Sequence, residues 1–145
     1  MRCIIDRLEV ETHAHATEDL GKVIQALNNL VGQVTYETIQ VQGHYGNPIT
    51  VVKAAMEKTS SECLDVVVKR LLSMLSDADR QLLLLSLDER MDGDKLYLRF
   101  NKQSAYRGLA RLDDGGDVIK VVIHFNPGLA WGRGIKSLLE GLVRA

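Results

Sequence analysis

The chain has 145 residues, which is the size of one ordinary domain with a single hydrophobic core. Hydrophobic residues make up 46% and charged residues 26% of it, a globular composition that excludes a disordered or low-complexity chain. The net charge of -1 argues against a strong nonspecific polyanion binder, because such proteins carry a marked basic excess.

The charge is unevenly distributed along the chain. Residues 1–92 hold 9 Lys and Arg against 14 Asp and Glu, whereas residues 93–145 hold 9 against 5. We therefore expect an anion site to draw mainly on the C-terminal part, although a solvated basic face without a ligand predicts the same count.

Neither the N-terminus nor the cysteines indicate export. Arg2 and Asp6 interrupt any apolar signal core, and the longest purely apolar run is only 82–85, so we expect no secretion and no membrane contact. Cys3 and Cys63 are too few for a disulfide scaffold and lack a close metal-binding spacing. The sequence therefore predicts two reduced, buried thiols in a cytoplasmic protein.

The first elements in chain order are a strand and a helix. Apolar and polar residues alternate over 8–15, which predicts a strand with one buried face. Thr17 is predicted to cap the helix that follows, with Glu18 in its first turn, and Gly32 is predicted to end it.

Two segments rich in β-branched residues, 35–42 and 49–56, predict an antiparallel hairpin. The turn between them, 43–48, contains two glycines, an asparagine and a proline, so we expect a loop of fixed shape. Such a loop would display His44 and Tyr45 at the tip of the hairpin.

Two helices are predicted next. Thr59 and Glu62 have the spacing of a capping box before an apolar stripe that reaches Leu75. Ser76 is predicted to cap a second helix that runs through Met91 and is closed by Gly93.

The basic part of the chain begins with a strand over 95–101, whose open side carries Lys95, Tyr97 and Arg99. A further strand is predicted near 106–112, and we expect it to pair with a strand over 118–125.

The element order β-α-β-β-α-α-β-β-β-α favours an α+β fold, with a largely antiparallel sheet and helices packed on one face. We expect one domain over 1–145, in which 126–145 form a C-terminal helical extension.

Four motifs resemble a small archaeal family described as predicted RNA-binding subunits of the exosome. They are His-Ala-Thr-Glu-Asp at 15–19, Gly-His-Tyr-Gly-Asn-Pro-Ile at 43–49, Lys-Gln-Ser-Ala-Tyr-Arg-Gly at 102–108 and Gly-Asp-Val-Ile at 116–119. The resemblance implies a fold similar to that of the ribosomal protein that binds 5S ribosomal RNA. It also implies RNA binding linked to the exosome. The family's motif positions fall on His15, Thr17, Glu18, Asp19, Gly43, His44, Tyr45, Gly46, Asn47, Pro48, Lys102, Gln103, Gly116 and Asp117.

The leading hypothesis is a non-enzymatic accessory protein that binds structured RNA with modest affinity and associates with the exosome or another ribonucleoprotein. Cations suit phosphates and aromatic rings suit unstacked bases. The predicted contact residues are His44, Tyr45, Lys95, Tyr97, Arg99, Lys102, Arg107 and Arg111.

Two alternatives remain open. The first is a protein-interaction module that forms a homodimer through an open sheet face or the C-terminal helix. His13 and His15 have a strand spacing that metals use, but a site needs further ligands, so we predict no metal and no other cofactor. No nucleophile elbow or complete phosphate-binding loop is present in the sequence, and we expect no catalytic residue.

Overall fold

The computed structural model describes residues 3–43, 46–130, 137 and 139–141. An antiparallel sheet carries the helices on one of its faces. The strands are β1 (Ile5–His15), β2 (Glu37–Gln42), β3 (Pro48–Glu57), β4 (Met91–Asp92), β5 (Lys95–Asn101) and β6 (Val118–Phe125). The helices are α1 (Leu20–Val31), α2 (Asp65–Ser73), α3 (Asp77–Leu85), α4 (Leu87–Arg90), α5 (Lys102–Tyr106) and α6 (Pro127–Ala130).

The six strands lie in the order β2, β3, β1, β6, β5, β4, and every neighbouring pair is antiparallel. This topology confirms the predicted α+β class. The central neighbours β1 and β6 come from distant parts of the chain, with Val10 opposite Val121. The acidic and the basic parts of the sequence therefore meet along this central ladder.

The core lies between the sheet and the helices. Leu98 and Phe100 of β5 point into it, as their alternation with exposed neighbours predicts. Leu27 of α1 and Leu72 of α2 meet the sheet from the helical side and are fully buried. Burying one such side chain contributes about 1.5–3 kcal/mol to folding, so the periodic apolar positions hold the helices on this face.

The predicted helix α1 is present, but a different residue caps it. Asp19, not Thr17, accepts hydrogen bonds at the N-terminus, the shorter from Gly21 N–H at 2.8 Å. The reason is a separate turn before the helix, in which Glu18 N–H donates to the His15 carbonyl at 2.9 Å. The predicted end at Gly32 is confirmed, where a φ of 85° is a conformation that glycine adopts readily.

The next helical region differs from the prediction in two places. Thr59 Oγ1 accepts from Glu62 N–H at 2.9 Å, but this turn stands alone and α2 begins only at Asp65. The helix predicted to run through Met91 is divided at Ser86 into α3 and α4, the second of which ends at Arg90, and Met91 starts β4. Gly93, with a φ of 64°, makes the tight connection between β4 and β5 and closes no helix.

The strand predicted near 106–112 is wrong, and so is its pairing with 118–125. Asn101 Oδ1 accepts from Ser104 N–H at 2.8 Å and caps the short helix α5 directly after β5. Within 106–112 only Leu112 forms a single bridge, to Phe100. The strand β6 instead inserts between β1 and β5.

Cys3 and Cys63 form a disulfide with a Cα–Cα distance of 5.3 Å, so the prediction of reduced thiols is wrong. Because the two cysteines are 60 residues apart in the sequence, their spacing gave no indication that they form a pair. Asp65 reinforces the connection, because its two carboxylate oxygens accept from Ile4 N–H at 2.9 Å and Ile5 N–H at 3.0 Å. The disulfide removes the thiol-based reason for a cytoplasmic location, which stays a prediction.

The predicted C-terminal extension lies largely outside the described residues. Its described part comprises α6 and helical residues at 137 and 139–141, where Leu139 is fully buried. The single-domain organisation over 1–145 stays a prediction. No helix within the described part of the chain has the length and apolar character to cross a membrane.

Candidate functional site

The side of the sheet opposite the helices, which we call the open face, carries side chains in rows across the strands. Residues directly opposite each other in an antiparallel pair point to the same face. One such row crosses five strands and consists of Glu37, Lys53, Glu11, Lys120 and Arg99. Acidic and basic side chains alternate along it until Lys120 and Arg99, where two cations are neighbours.

A trough of about 850 Å³ follows this row across the open face. Its charged lining comprises four cations and three carboxylates: Arg7, Lys53, Arg99, Lys120, Glu9, Glu11 and Glu37. Apolar surface from Val122 and the ring of Tyr97 lies beside them. The trough therefore offers both charged groups and flat apolar surface to a ligand.

Four cations on the open face form no ion pair within the part of the chain that the structure describes. Arg7 is engaged, with its Nη1 2.5 Å from Glu57 Oε1 and its Nε 3.6 Å from Glu9 Oε1. In contrast, four side chains form no ion pair with any carboxylate that the structure describes: Lys53, Lys95, Arg99 and Lys120. They remain available for an external anion.

Arg99 is held in place by the loop that precedes β6. Its Nη2 donates to the Gly115 carbonyl at 2.8 Å, while its buried Nε has no hydrogen-bond partner among the described residues. Asp113 lies nearby, and a hydrogen bond from Asn101, assisted by the Gly115 N–H, holds the pKa of this carboxyl below its ordinary value. The guanidinium is thus fixed at the rim of the trough beside a charged carboxylate.

Lys102 occupies a different environment from the exposed position that the sequence suggested. The residue is only 3% exposed. Its Nζ donates to the His13 carbonyl at 2.7 Å and to Glu18 Oε1 at 3.0 Å, and it lies 2.8 Å from Asp117 Oδ1. Two hydrogen bonds and this ion pair surround the ammonium group, so Lys102 connects the end of β1 and the turn after it with the loop before β6.

His13 and His15 lie on the same exposed side of β1, as predicted, but they do not share one cluster of potential metal ligands. His15 instead lies near Glu18 and Asp117, and potential ligand atoms of these three residues all lie within 4.8 Å of one another. His13 is not part of this cluster. The Lys102 ammonium already contacts Glu18 and Asp117, so it occupies the position where a cation would bind.

The motif segments converge at one end of the sheet. His15 of β1 lies opposite Ile49 of β3, and Asn101 of β5 lies opposite Val118 of β6. This register places residues 15–19, 43, 46–49, 102–108 and 116–119 around the same end of the sheet.

The described part of the hairpin loop has the fixed shape that its composition predicts. Gly43 N–H donates to the Asn47 carbonyl at 2.7 Å, and Gly46 has a φ of 78°. A Cβ at Gly43 would lie 2.7 Å from Ile49 Cδ1 and 2.9 Å from the Asn47 carbonyl oxygen. The backbone therefore approaches too closely for any side chain at this position.

The remaining predicted contact residues are dispersed. Three share the open face: Lys95, Tyr97 and Arg99. Arg111 is exposed beside β5, where its carbonyl accepts from Asn101 N–H at 2.9 Å. Arg107 ends α5, which packs on α1 away from the open face. His44 and Tyr45 lie outside the described residues.

Lys53 and Lys120 belong to the open face, but the sequence-based reasoning missed them. Both alternate with buried residues, since Val52 and Ala54 flank Lys53, and Ile119 and Val121 flank Lys120. This period of two was a usable signal that each side chain points to the open face. What the sequence did not contain was the order of the strands, which places both lysines in the same row as Arg99 and makes Lys120 its direct neighbour.

The sequence comparisons agree on one family. A family model described as RNA binding matches residues 7–125, which is most of the chain. An RNA-binding protein of Pyrococcus abyssi is 36% identical over 123 residues, which cover 80% of this chain and 79% of that protein.

Solved structures agree with the fold. A crystal structure of a DUF54 protein from Archaeoglobus fulgidus is 28% identical, with a TM-score of 0.77, and the match covers 95% of this chain and 99% of that chain. A second, from Sulfolobus solfataricus, is also 28% identical, with a TM-score of 0.76 and coverages of 96% and 98%. The open sheet is therefore shared with archaeal proteins of known structure.

Proposed function

Since the chain belongs to the archaeal family described as RNA binding, we propose that it is a non-enzymatic accessory protein that binds RNA on the open face. The observation that carries this proposal is a group of four cations that form no ion pair with a carboxylate among the described residues: Lys53, Lys95, Arg99 and Lys120. Phosphate groups supply the negative charge that these side chains lack.

The open face can also contact the bases of an RNA. Tyr97, which is 43% exposed, lies between Lys95 and Arg99 on the open side of β5, where its ring can stack on an unpaired base. Such stacking is tolerant of base identity, whereas the cations contact the backbone. We therefore propose recognition of RNA shape with little sequence preference.

The same face also limits the affinity. Glu9, Glu11 and Glu37 line the trough among the cations, and Glu11 lies directly between Lys53 and Lys120 in the row. Their charges oppose those of phosphates at short range. We propose modest affinity for structured RNA, which fits the chain's net charge of -1.

The resemblance of the motifs supports a place beside the exosome or another ribonucleoprotein. This association is tested by recovering the intact chain from an archaeal lysate with and without nuclease treatment. Exosome subunits retained after nuclease treatment would support direct contact. Subunits lost with the RNA would mean that RNA alone connects them.

Removing the two neighbouring cations should weaken RNA binding. We expect Lys120→Ala and Arg99→Ala each to reduce affinity for a fluorescein-labelled RNA hairpin about fivefold. Each should also lower the slope of log affinity against log salt by about 1, because one phosphate contact is lost. Fluorescence anisotropy titrations over a series of KCl concentrations measure both quantities.

Lys69→Ala is the matched control, because Lys69 is exposed on α2 at the helical side and carries the same charge. It should leave the affinity and the salt slope nearly unchanged. If all three variants weaken binding equally, the affinity for RNA depends only on the net charge of the protein, and the open face is not the binding site.

Removing the central carboxylate should strengthen binding. Glu11→Gln keeps the size of the side chain and removes the charge between Lys53 and Lys120, so we expect about a threefold higher affinity at low salt. Glu89→Gln, an exposed position in α4, provides the control with the same change in net charge. Equal gains from both variants, or no gain from Glu11→Gln, would contradict the proposed site.

A further inference from the structure

Strand β2 is an edge of the sheet that lacks the usual protection. All six of its residues are exposed, and no segment among the described residues pairs with its outer side. In natural sheets, lysines, prolines or bulges in an edge strand prevent it from pairing with a strand of another chain. Between Glu37 and Gln42 there is no lysine or proline, and the register with β3 is uninterrupted.

The outward-facing backbone groups of β2 follow from its pairing with β3. Gly43 N–H donates to the Asn47 carbonyl, and Pro48, opposite Gln42, has no N–H. Gln42 and Pro48 therefore form a non-hydrogen-bonded pair. Because bonded and non-bonded pairs alternate, the residues whose N–H and C=O groups point away from β3 are Thr38, Gln40 and Gln42.

These outward groups make β2 complementary to itself. When two β2 strands pair in antiparallel fashion about Gln40, Gln40 meets Gln40 of the second copy and Thr38 meets Gln42 of the second copy. In this register every outward-facing N–H and C=O of the paired residues finds a partner.

The side chains agree with the same register. On the open face, Ile39 and Val41 are 45% and 43% exposed. In this register Ile39 lies opposite Val41 of the second copy, and Val41 lies opposite Ile39 of the second copy. Glu37, the only charge in β2, falls opposite Gly43 of the second copy, outside the aliphatic pairs. A register centred on Ile39 would instead place Glu37 against Val41, which buries a carboxylate beside an apolar side chain.

We propose that the chain associates with a second copy of itself through antiparallel pairing of the two β2 strands. The two six-stranded sheets then form one continuous sheet. The two-fold axis is perpendicular to the sheet, so both open faces lie on the same side. This association goes beyond the proposed RNA binding and does not depend on it.

The test exploits the direction of one N–H group. Gln40→Pro removes an N–H that points away from β3, so it leaves the β2–β3 ladder intact while blocking the centre of the β2–β2 pair. Gln40→Ser keeps the N–H and is the matched control. Sedimentation velocity of the protein without RNA, over a wide concentration range, should show a concentration-dependent dimer for the wild type and Gln40→Ser, and a monomer for Gln40→Pro.

A second variant covers the case in which proline disturbs the fold. Val41→Lys places a charge against the aliphatic pair at a position exposed in the monomer, and it should also abolish the dimer. Leu85→Lys, at an 84% exposed position on α3, should not. A wild type that stays monomeric at all concentrations, or a folded Val41→Lys that dimerises like the wild type, would overturn the proposal.

Discussion

Reduction of the Cys3–Cys63 disulfide is expected to lower the free energy of unfolding by about 2–4 kcal/mol. The crosslink joins residues separated by 60 positions, so in the unfolded chain it closes a long loop and removes conformational freedom. In the folded state it fastens the start of β1 to the segment before α2, next to the hydrogen bonds that Asp65 accepts. Urea unfolding with and without a phosphine reductant measures the difference.

The variant with Cys3→Ala and Cys63→Ala is the control for the reductant itself. Its unfolding midpoint should be lower than that of the oxidised wild type and should not respond to the reductant. Thiol titration of the untreated, denatured wild type should detect no free thiol. Two free thiols in that sample, or identical midpoints with and without reductant, would contradict the crosslink.

Replacing Lys102 by Met is expected to lower the free energy of unfolding by about 2–3 kcal/mol. The variant retains an apolar side chain of similar length but leaves the His13 carbonyl, whose hydrogen bond is partly buried, without its donor. It also leaves Glu18 and Asp117 close together without the ammonium between them. Since Glu18 and Asp117 side chains are 23% and 51% exposed, water compensates part of the loss.

Lys69→Met, on the exposed surface of α2, is the matched control and should change stability by no more than about 0.5 kcal/mol. A double-mutant cycle between Lys102→Met and Glu18→Gln should give a coupling energy of about 1 kcal/mol or more. Equal effects of the two lysine substitutions, with no coupling to Glu18, would show that the buried ammonium does not stabilise the fold.

Local periodicity predicted much of the secondary structure. The alternation over 8–15 and over 95–101 is a local signal, and each segment forms a strand with one buried face, as predicted. The strand expected near 106–112 failed because Asn101 caps a helix immediately after β5, a side-chain contact that competes with strand formation. The position of β6 between β1 and β5 depends on contacts between distant segments, which periodicity does not contain.

In the candidate site, too, local signals were predictable from the sequence and contacts between distant segments were not. Alternation correctly placed Lys95, Tyr97 and Arg99 on one side of β5. The burial of Lys102 had no local signal, because its partners come from segments far away in sequence, including Glu18 and Asp117. Residue type and spacing thus identified exposed cations on a strand, whereas only the assembled sheet distinguishes a free cation from one that is already neutralised.

The covalent ring closed by Cys3 and Cys63 encloses β1, α1, β2 and β3, while the strands of the basic half lie outside it. Fraying of the N-terminal strand is therefore restricted at its outset, and the seam where β1 meets β6 joins the crosslinked strands to the strands outside the ring. That seam runs beneath the row of alternating charges. The trough therefore has one side whose strands belong to a covalently closed ring and another side, from β6 and β5, that is held to it by noncovalent contacts alone.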